Sequence, residues 1–250
     1  MNAKQKVAIV TGGSSGIGKA IVHQYAREGV AVVIADMQDD QGQALVNEIT
    51  SKGGSAIYVH CDVSSFDDNV RVVEAALQTF GRLDYAVNNA GIAGESNSTS
   101  AYSIDAWRKV IDVNLTGVFF GIKVQIPAML SSGGGSIVNV SSILGAVGFP
   151  NAPAYTTAKH GLLGLTKAAA LDHSAQGIRV NCVGPAFINT PMIADAMSNP
   201  AFAATVPILH PIGRIGEPEE VAEVVCFLTS DKASFLTGAY YPIDGGYLAR

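Results

Sequence analysis

Tyr155 and Lys159 combine residue types and a spacing that suit proton transfer. They stand four positions apart in a stretch with helical periodicity, so their side chains share one face of the helix. A free phenol has a pKa of about 10, and a neighbouring ammonium lowers it by favouring the phenolate. The pair could therefore act in general acid–base catalysis. Alternatively, it belongs to an ordinary solvated helix face.

Two further polar residues could join this pair. Ser142 follows the apolar run Ser136–Ser141, where its hydroxyl could donate to a carbonyl oxygen as negative charge develops there. Asn114 interrupts the apolar segment VIDVNLTGVFFG, and a buried amide needs hydrogen-bond partners. Asn114 could take part in the chemistry or simply satisfy a neighbouring backbone group.

A glycine-rich turn near the N-terminus, TGGSSGIG at Thr11–Gly18, is typical of a dinucleotide site. Glycines there let the backbone approach a pyrophosphate, and the N–H groups of the following helix can bind its oxygens. The spacing G-x-x-x-G-x-G differs from the usual G-x-G-x-x-G, so a glycine turn without a ligand is the alternative. The predicted cofactor contacts in this turn are Gly12, Ser14, Ser15, Gly16, Ile17 and Gly18.

Asp36 ends the second apolar run and indicates which nicotinamide cofactor is used. A carboxylate there can accept both ribose hydroxyls of NAD and would repel the 2′-phosphate of NADP. Neither Ser15 nor Met37 offers the positive charge that NADP would need. The sequence therefore predicts NAD, unless Asp36 only caps the helix that begins near Gln38–Asp40.

The segments that position these residues alternate between short β-branched runs and stretches of helical spacing, which is typical of an α/β fold. Nearly continuous apolar strands predict one Rossmann-like, doubly wound parallel sheet of about seven strands with helices on both faces. No linker, charge block or repeat divides the chain, so we expect residues 1–250 to form one dinucleotide-binding and catalytic domain. The predicted strands are Lys6–Thr11, Ala31–Asp36, Ala56–His60, Asp84–Asn88, Ser136–Ser141, Ile178–Val183 and Ala239–Ile243. The predicted helices are Ile17–Glu28, Asp39–Lys52, Asp67–Phe80, Ile104–Leu130, Ala154–Ala175 and Pro218–Ser230.

Further cofactor contacts are predicted at the carboxyl edge of this sheet, where ligands of doubly wound folds bind. Asp62 and Val63 follow the third strand, where a carboxylate and a small apolar side chain could hold an adenine ring. The small-residue turn Asn88–Gly91 follows the fourth strand. The predicted contacts in it are Asn89, Ala90 and Gly91.

The overall composition argues against several kinds of partner. The 250 residues carry a net charge of −5 without a Lys/Arg cluster, so no nucleic acid is expected. Cys61, Cys182 and Cys226 lack a metal or disulfide spacing, which favours reduced thiols and a cytoplasmic location. No signal peptide, membrane span or metal site is expected.

Two predicted helices, Ile104–Leu130 and Ala154–Ala175, carry apolar residues most of the way around. Such helices are usually buried on more than one side. A subunit interface could bury the second side, so the sequence predicts an oligomer.

Together these motifs resemble the short-chain dehydrogenase/reductase family, from about Lys6 to about Gly246. Thr11–Gly18 is similar to the family's cofactor motif, and Asn88–Gly91 is similar to its sheet-stabilising turn. The resemblance implies an NAD-dependent alcohol dehydrogenase or carbonyl reductase. The tail Tyr240–Tyr247 is also similar to the family and implies a homotetramer.

The resemblance also implies a role for each of four catalytic residues. Ser142 precedes Tyr155 by thirteen positions, and Tyr155-x-x-x-Lys159 has the family spacing. Tyr155 would donate or accept the proton, and Ser142 would steady the substrate oxygen. Lys159 would lower the pKa of Tyr155 and hold the nicotinamide ribose. Asn114 would fix a water or a main-chain group in a proton relay behind Lys159.

The stretch Val183–Thr190 corresponds to the segment of the family that lines the nicotinamide. Pro185, the backbone of Ile188 and the hydroxyl of Thr190 are the contacts that this correspondence implies. The family usually has glycine where this chain has Ala186. Because alanine disfavours positive φ, the local backbone and the fine positioning of the nicotinamide stay open.

The family's substrate loops correspond to Ile92–Tyr102, Ile143–Asn151 and Pro191–Pro211. They contain no Lys or Arg that could clamp a carboxylate or phosphate, so we expect a small to medium, mainly apolar and neutral alcohol or ketone. His210 could reach the pocket or lie at the surface. The apolar candidates, some of which would serve only loop packing, are Leu144, Val147, Phe149, Phe187, Met192, Ile193 and Met197.

Two alternatives to an NAD-dependent enzyme stay open. One is a non-redox cofactor-binding or regulatory protein on the same scaffold. Such proteins often lose the Tyr or the Lys, whereas this chain retains both Tyr155 and Lys159. The other is an enzyme that uses NADP.

Overall fold

The chain folds around one seven-stranded sheet in the computed structural model, which describes residues 5–249. The strands are β1 (Val7–Thr11), β2 (Ala31–Asp36), β3 (Ala56–His60), β4 (Tyr85–Asn88), β5 (Gly135–Val140), β6 (Ile178–Pro185) and β7 (Tyr240–Ile243). All neighbours pair in parallel in the order β3-β2-β1-β4-β5-β6-β7. This confirms the predicted doubly wound sheet. The strand order reverses between β1 and β4, the kind of switch point at which ligands bind.

Helices cover both faces of this sheet. They are α1 (Gly16–Arg27), α2 (Asp39–Ser51), α3 (Phe66–Phe80), α4 (Ile104–Ile111), α5 (Gly117–Ser131), α6 (Pro153–His173), α7 (Pro191–Met197), α8 (Pro200–Thr205) and α9 (Pro218–Thr229). The predicted helix Ile104–Leu130 is present but irregular, because a π-helical turn at Asp112–Thr116 joins α4 to α5.

The segment Pro191–Pro211, expected to be a loop, contains the two short helices α7 and α8. Each begins at a proline, whose fixed φ suits the first helical turn. The side chain of Asn199 caps α8 by accepting the N–H groups of Ala201 and Phe202. Neither helix was predicted, because both are shorter than two full turns and show little periodicity in the sequence.

Two apolar cores lie on opposite faces of the sheet. Alternate residues of β1 face opposite sides, so Val7 and Ile9 pack with α3, α5 and α6. Ala8 and Val10 pack instead with α1, α2 and α9. This arrangement holds the carboxyl ends of the strands rigidly, and the candidate site lies at that edge.

Within residues 5–249, the continuous helical stretch Ile104–Ser131 is the one segment long and apolar enough to cross a membrane by length and composition. Half of the most apolar 18 residues of this stretch are buried inside the protein. Val118, Ile122 and Ile126 of this stretch belong to the core beside the sheet. Part of the apolar surface of this stretch therefore packs in the core beside the sheet.

Candidate active site

A cavity of about 390 Å³ opens at the carboxyl edge of the sheet. Ser142, Tyr155 and Lys159 all line it. The sequence predicted that these three side chains act together, and the fold brings them to one wall. Ser142 follows β5, whereas the other two lie on α6, which packs against β6.

Lys159 is buried, with 4% of the residue exposed. Its Nζ donates to the carbonyl oxygen of Val140 at 2.8 Å, and its own carbonyl accepts a hydrogen bond from Ser141 Oγ at 2.8 Å. An ordinary solvated helix face is therefore ruled out for this pair. Burial lowers the pKa of the Lys159 ammonium to about 8, because desolvation disfavours its charge.

Tyr155 lies half-buried beside this lysine, and Lys159 Nζ is 5.4 Å from the centre of its ring. Burial raises the pKa of the Tyr155 phenol, and a side-chain hydrogen bond with Ser142 partly lowers it. In the protein alone desolvation thus outweighs the effect of the Ser142 hydrogen bond on the pKa of this phenol. The predicted lowering of the pKa remains a prediction for the enzyme with its cofactor bound.

Ser142 is held from two sides. Its Oγ accepts a hydrogen bond from the N–H of Leu144 at 3.1 Å, and its carbonyl oxygen accepts one from the hydroxyl of Tyr240 at 2.9 Å. Tyr240 comes from β7 and reaches across Gly184, where a Cβ would lie 2.0 Å from the tyrosine hydroxyl oxygen. The sequence predicted only subunit contacts for Tyr240 and gave no sign of this hydrogen bond to Ser142.

Tyr240→Phe should lower kcat about fivefold while the KM for the cofactor changes little. Losing one hydrogen bond is worth about 1 kcal/mol, which corresponds to about fivefold in rate when it is felt in the transition state. Steady-state kinetics with the neighbouring variant Tyr241→Phe as control would check this. Equal losses in both variants would show that the hydroxyl of Tyr240 does not position Ser142.

Asn114 is fully buried in the π-helical turn between α4 and α5. Its Oδ1 accepts the N–H of Ile92 at 2.9 Å, and its Nδ2 donates to the carbonyl oxygen of Ile92 at 2.8 Å. A Cβ on the adjacent Gly91 would lie 3.2 Å from Asn114 Oδ1 and 3.7 Å from Lys159 Nζ. The side chain satisfies backbone groups, as one alternative held, and it also lies behind Lys159. Its place in a proton relay stays a prediction.

The glycine turn has the shape that a pyrophosphate requires. Gly12 and Gly16 adopt positive φ values of 62° and 49°, and a Cβ on Gly18 would lie 2.0 Å from the carbonyl oxygen of Gly12. The Ser14 hydroxyl is buried and has no hydrogen-bond partner in the structure. Ser15 precedes α1 without capping it through its side chain. A tight backbone, an unpaired hydroxyl and an uncapped helix start together fit a bound dinucleotide.

Asp36 is 8% exposed and its carboxylate is tied to the glycine turn. Its Oδ2 accepts the N–H of Ser14 at 2.9 Å, and its Oδ1 accepts the N–H of Gln38 at 3.2 Å. The N-cap of α2 is Gln38, so Asp36 does not cap that helix. The carboxylate lies where the glycine turn meets the end of β2.

The turn Asn88–Gly91 ties β4 to the glycine turn. Asn89 Nδ2 donates to the carbonyl oxygens of Thr11 and Gly12, and the N–H of Ala90 donates to Thr11 Oγ1. Asn88 bonds instead to Asn139 and Gln125 inside the sheet core. These bonds hold the Asn88–Gly91 turn against the glycine turn.

Asp62 and Val63 follow β3 at the same edge. Asp62 Oδ1 accepts hydrogen bonds from the N–H and hydroxyl of Ser64, and the carbonyl oxygen of Val63 accepts one from Asn69. These bonds order the loop where an adenine was expected. Contact of either residue with an adenine ring stays a prediction.

The stretch that follows β6 forms another wall of the cavity. Pro185, Ile188 and Thr190 all line it, and a Cβ on Gly16 would lie 3.3 Å from the Thr190 side chain. This contact joins the expected nicotinamide end to the glycine turn, where Ile17 also lines the cavity. Among residues 5–249, positive φ outside glycine occurs at Asn151 and not at Ala186. The methyl group of Ala186 therefore adds no backbone strain.

The outer part of the cavity is mainly apolar. The predicted residues that line it are Leu144, Phe149, Phe187, Met192 and Ile193, whereas Val147 and Met197 do not. Phe202 and Glu95 line it as well and were missed. Phe202 lies on α8, in a segment that was expected to be a loop. Glu95 lies in the segment Ile92–Tyr102, for which the prediction considered only the lack of Lys and Arg.

His210 lies neither in the cavity wall nor at the surface, so both expectations for it were wrong. It is 2% exposed, and its Nδ1 lies 2.9 Å from the carbonyl oxygen of Val206. Its ring packs edge-on against Phe187 at 5.8 Å and lies tilted against Tyr247 at 5.7 Å. The C-terminal tail covers it, which local sequence could not indicate.

Comparison with known proteins identifies the family to which this site belongs. A short-chain dehydrogenase family model, described as enoyl-(acyl carrier protein) reductase, matches residues 12–248. The chain belongs to the short-chain dehydrogenase/reductase family. This confirms the resemblance noted in the sequence, and membership brings a nicotinamide cofactor with it.

Relatives within the short-chain family extend over nearly the whole chain. A cyclohexanol dehydrogenase from Acinetobacter sp. strain SE19 is 49% identical over 98% of this chain and 96% of its own length. A cis-4-hydroxycyclohexanecarboxylate dehydrogenase from Sinomonas cyclohexanicum is 44% identical over 98% of this chain and 97% of its own. The protein is therefore an alcohol dehydrogenase of this family.

Solved structures of short-chain enzymes superpose closely on this fold. Levodione reductase matches with a TM-score of 0.94 and 35% identity over 98% of both chains. A protein from Beutenbergia cavernae, described as an NAD(P)-dependent gluconate 5-dehydrogenase, matches with a TM-score of 0.92 and 36% identity over 98% of this chain and 97% of its own. That structure holds NADP at low occupancy.

Proposed function

We propose that the protein oxidises a neutral alicyclic secondary alcohol to its ketone with NAD, and catalyses the reverse reduction with NADH. The observation that carries this proposal is the convergence of Ser142, Tyr155 and Lys159 at one end of a mainly apolar cavity. Within the described chain, Lys159 is the one Lys or Arg that lines it. Relatives that act on six-membered ring alcohols support the ring size.

In this mechanism the substrate hydroxyl lies between Ser142 and Tyr155. A bound nicotinamide cofactor would supply the hydride acceptor for oxidation. The Ser142 hydroxyl donates to the substrate oxygen and orients it, and the Tyr155 phenolate takes the hydroxyl proton. Lys159, held by the carbonyl of Val140, keeps positive charge near the phenolate. The apolar walls exclude water from the reacting carbon.

NAD is proposed as the cofactor because Asp36 lies at the glycine turn. Its carboxylate would accept the adenosine ribose hydroxyls, and its charge would repel a 2′-phosphate. Gly12, Ser14, Gly16 and Gly18 would hold the pyrophosphate. A structural relative holds NADP, so NADP is the alternative cofactor.

A panel of secondary alcohols tests the proposed reaction, with NAD and NADP assayed separately for NADH or NADPH formation. We expect turnover with cyclohexanol-sized ring alcohols and NAD, and at least tenfold lower kcat/KM with NADP. Binding of NADH, followed by fluorescence, without turnover of any alcohol would favour the non-redox binding protein. Faster turnover with NADP would overturn the cofactor proposal.

We also propose a homotetramer in the cytoplasm, formed by one domain that spans residues 1–250. The apolar side chains of Phe119 on α5, Leu171 on α6, Phe227 on α9 and Phe235 are exposed. Subunit contacts would bury such exposed apolar side chains. A monodisperse monomer in sedimentation analysis would contradict the tetramer. The three cysteines are buried and unpaired, as suits a reducing compartment.

A further inference from the structure

Glu95 places a carboxylate in the wall of an otherwise apolar substrate cavity. It is half-buried, and together with Lys159 it is one of two formally charged residues among the described cavity-lining residues. Lys159 Nζ is already bonded to the carbonyl oxygen of Val140 at the inner end. Glu95 is therefore the one carboxylate among the described residues that line the cavity.

Local structure fixes Glu95 in this position. Gly94, which precedes it, has a φ of 80°, and a Cβ there would lie 2.5 Å from the hydroxyl oxygen of Tyr102. The N–H of Ser103 donates to Glu95 Oε1 at 2.6 Å, and Ser103 is the N-cap of α4. A carboxylate at a helix N-terminus is stabilised by the helix dipole and by the N–H that it accepts.

A backbone hydrogen bond joins the loop that contains Glu95 to the segment that contains Asn151. The N–H of Asn97 donates to the carbonyl oxygen of Asn151 at 3.2 Å. Asn151 itself lines the cavity and adopts a φ of 62°, a conformation that costs energy outside glycine. The bond between the two loops limits how far Glu95 can swing away from a bound substrate.

We infer that Glu95 is a specificity-determining residue that rejects anionic ring alcohols in favour of neutral ones. This inference rests on the proposed function. Two negative charges about 8 Å apart at an effective dielectric of 20 repel each other by an energy that corresponds to roughly thirtyfold in binding, so a substrate carboxylate at that distance from Glu95 would bind correspondingly more weakly. A neutral alcohol of the same ring size meets no such repulsion.

The test compares kcat/KM for cyclohexanol and for 4-hydroxycyclohexanecarboxylate, with NAD, in the wild type and in Glu95→Gln. The glutamine keeps an oxygen that can accept the Ser103 N–H, so the loop keeps its hydrogen bond while the charge is removed. We expect the ratio of kcat/KM for the carboxylate to that for cyclohexanol to rise at least tenfold. Salt should raise the same ratio in the wild type and much less in the variant.

Asp105→Asn is the matched control, because Asp105 is a nearby exposed carboxylate on α4 that does not line the cavity. This variant should leave the ratio within twofold of the wild type. A ratio that moves less than twofold in Glu95→Gln, or equally in both variants, would overturn the inference. Wild-type enzyme that turns over neither alcohol, nor any other ring alcohol, would overturn the proposed function itself.

A binding measurement separates these two failures. Cyclohexanecarboxamide and cyclohexanecarboxylate differ in charge at similar size, and calorimetric titration reports their affinities without turnover. We expect the wild type to prefer the amide, and Glu95→Gln to reduce that preference at least fivefold. An unchanged preference would contradict the role of Glu95 even in a protein that oxidises neither test alcohol.

Discussion

Replacing Tyr155 by phenylalanine should lower kcat for alcohol oxidation by roughly 10²–10⁴-fold, the range of a general acid–base contribution. The phenyl ring fills the same space beside Lys159, so the packing of α6 is preserved. The group lost is the hydroxyl that takes the substrate proton. NADH affinity, measured by fluorescence titration, should stay within about twofold. Turnover that survives the change would refute the proposed mechanism.

The pH profile of the wild type provides a second measurement of the same step. Oxidation needs the phenolate, so its kcat/KM should rise with pH up to the effective pKa of Tyr155 in the loaded enzyme. Ketone reduction needs the phenol, so its kcat/KM should fall as pH rises through the same value. Burial raises the phenol pKa in the protein alone, and cofactor-bound enzyme should titrate at lower pH.

Tyr102→Phe is a suitable control for these experiments. The Tyr102 hydroxyl is buried without a hydrogen-bond partner in the structure, and the residue does not line the cavity. Its loss should leave both kcat and the pH profile near those of the wild type. Similar losses in the two variants would indicate that general disturbance, not proton transfer, lowers the rate of Tyr155→Phe.

The fold and the convergence of Ser142, Tyr155 and Lys159 on one cavity could be predicted because both depend on local patterns. Strands such as Ala31–Asp36 are continuous apolar runs and agree with the observed bounds. The spacing of Tyr155 and Lys159 places them on one helical face whatever the rest of the chain does. Their order relative to Ser142 and the glycine turn then selects the family.

The missed features depend on contacts between distant parts of the chain. The π-helical turn at Asn114 accompanies two hydrogen bonds to Ile92, and the burial of His210 depends on the C-terminal tail. The hydroxyl of Tyr240 reaches Ser142 across 98 positions. No periodicity or spacing within a short window reports such contacts. The contact between Tyr240 and Ser142, for example, forms only when the sheet places β5, β6 and β7 side by side.

The burial of Lys159 shows how the fold changes the expected chemistry. On a solvated helix face its charge would be permanent at neutral pH, whereas burial brings its pKa to about 8. The carbonyl of Val140 satisfies one of its three N–H groups, which leaves others for the ribose hydroxyls of a cofactor. Hydrogen bonds to those hydroxyls would stabilise the Lys159 ammonium when the cofactor binds.

Asp36→Ala should lower kcat/KM for NAD roughly hundredfold, and this is the largest effect expected at the cofactor end. Two hydrogen bonds from ribose hydroxyls to a charged acceptor would be lost, together worth about 3 kcal/mol. Removal of the negative charge should at the same time raise kcat/KM for NADP, because the 2′-phosphate is no longer repelled. Steady-state kinetics with each cofactor would measure both changes. NAD activity that survives intact would mean that the enzyme does not recognise the ribose through Asp36.

Two companion variants separate recognition of the ribose from support of the glycine turn, since Asp36 also accepts the N–H groups of Ser14 and Gln38. Asp36→Asn keeps one oxygen acceptor for these groups and removes the charge, so it should relax the exclusion of NADP with a smaller loss for NAD. Asp39→Asn removes an exposed carboxylate that bonds to His60 and Tyr58, and it should leave the NAD/NADP ratio unchanged. If Asp36→Ala lowers kcat/KM equally for both cofactors, the carboxylate supports the turn and does not select NAD. If the ratio shifts towards NADP in both Asp36 variants, the charge itself selects the cofactor.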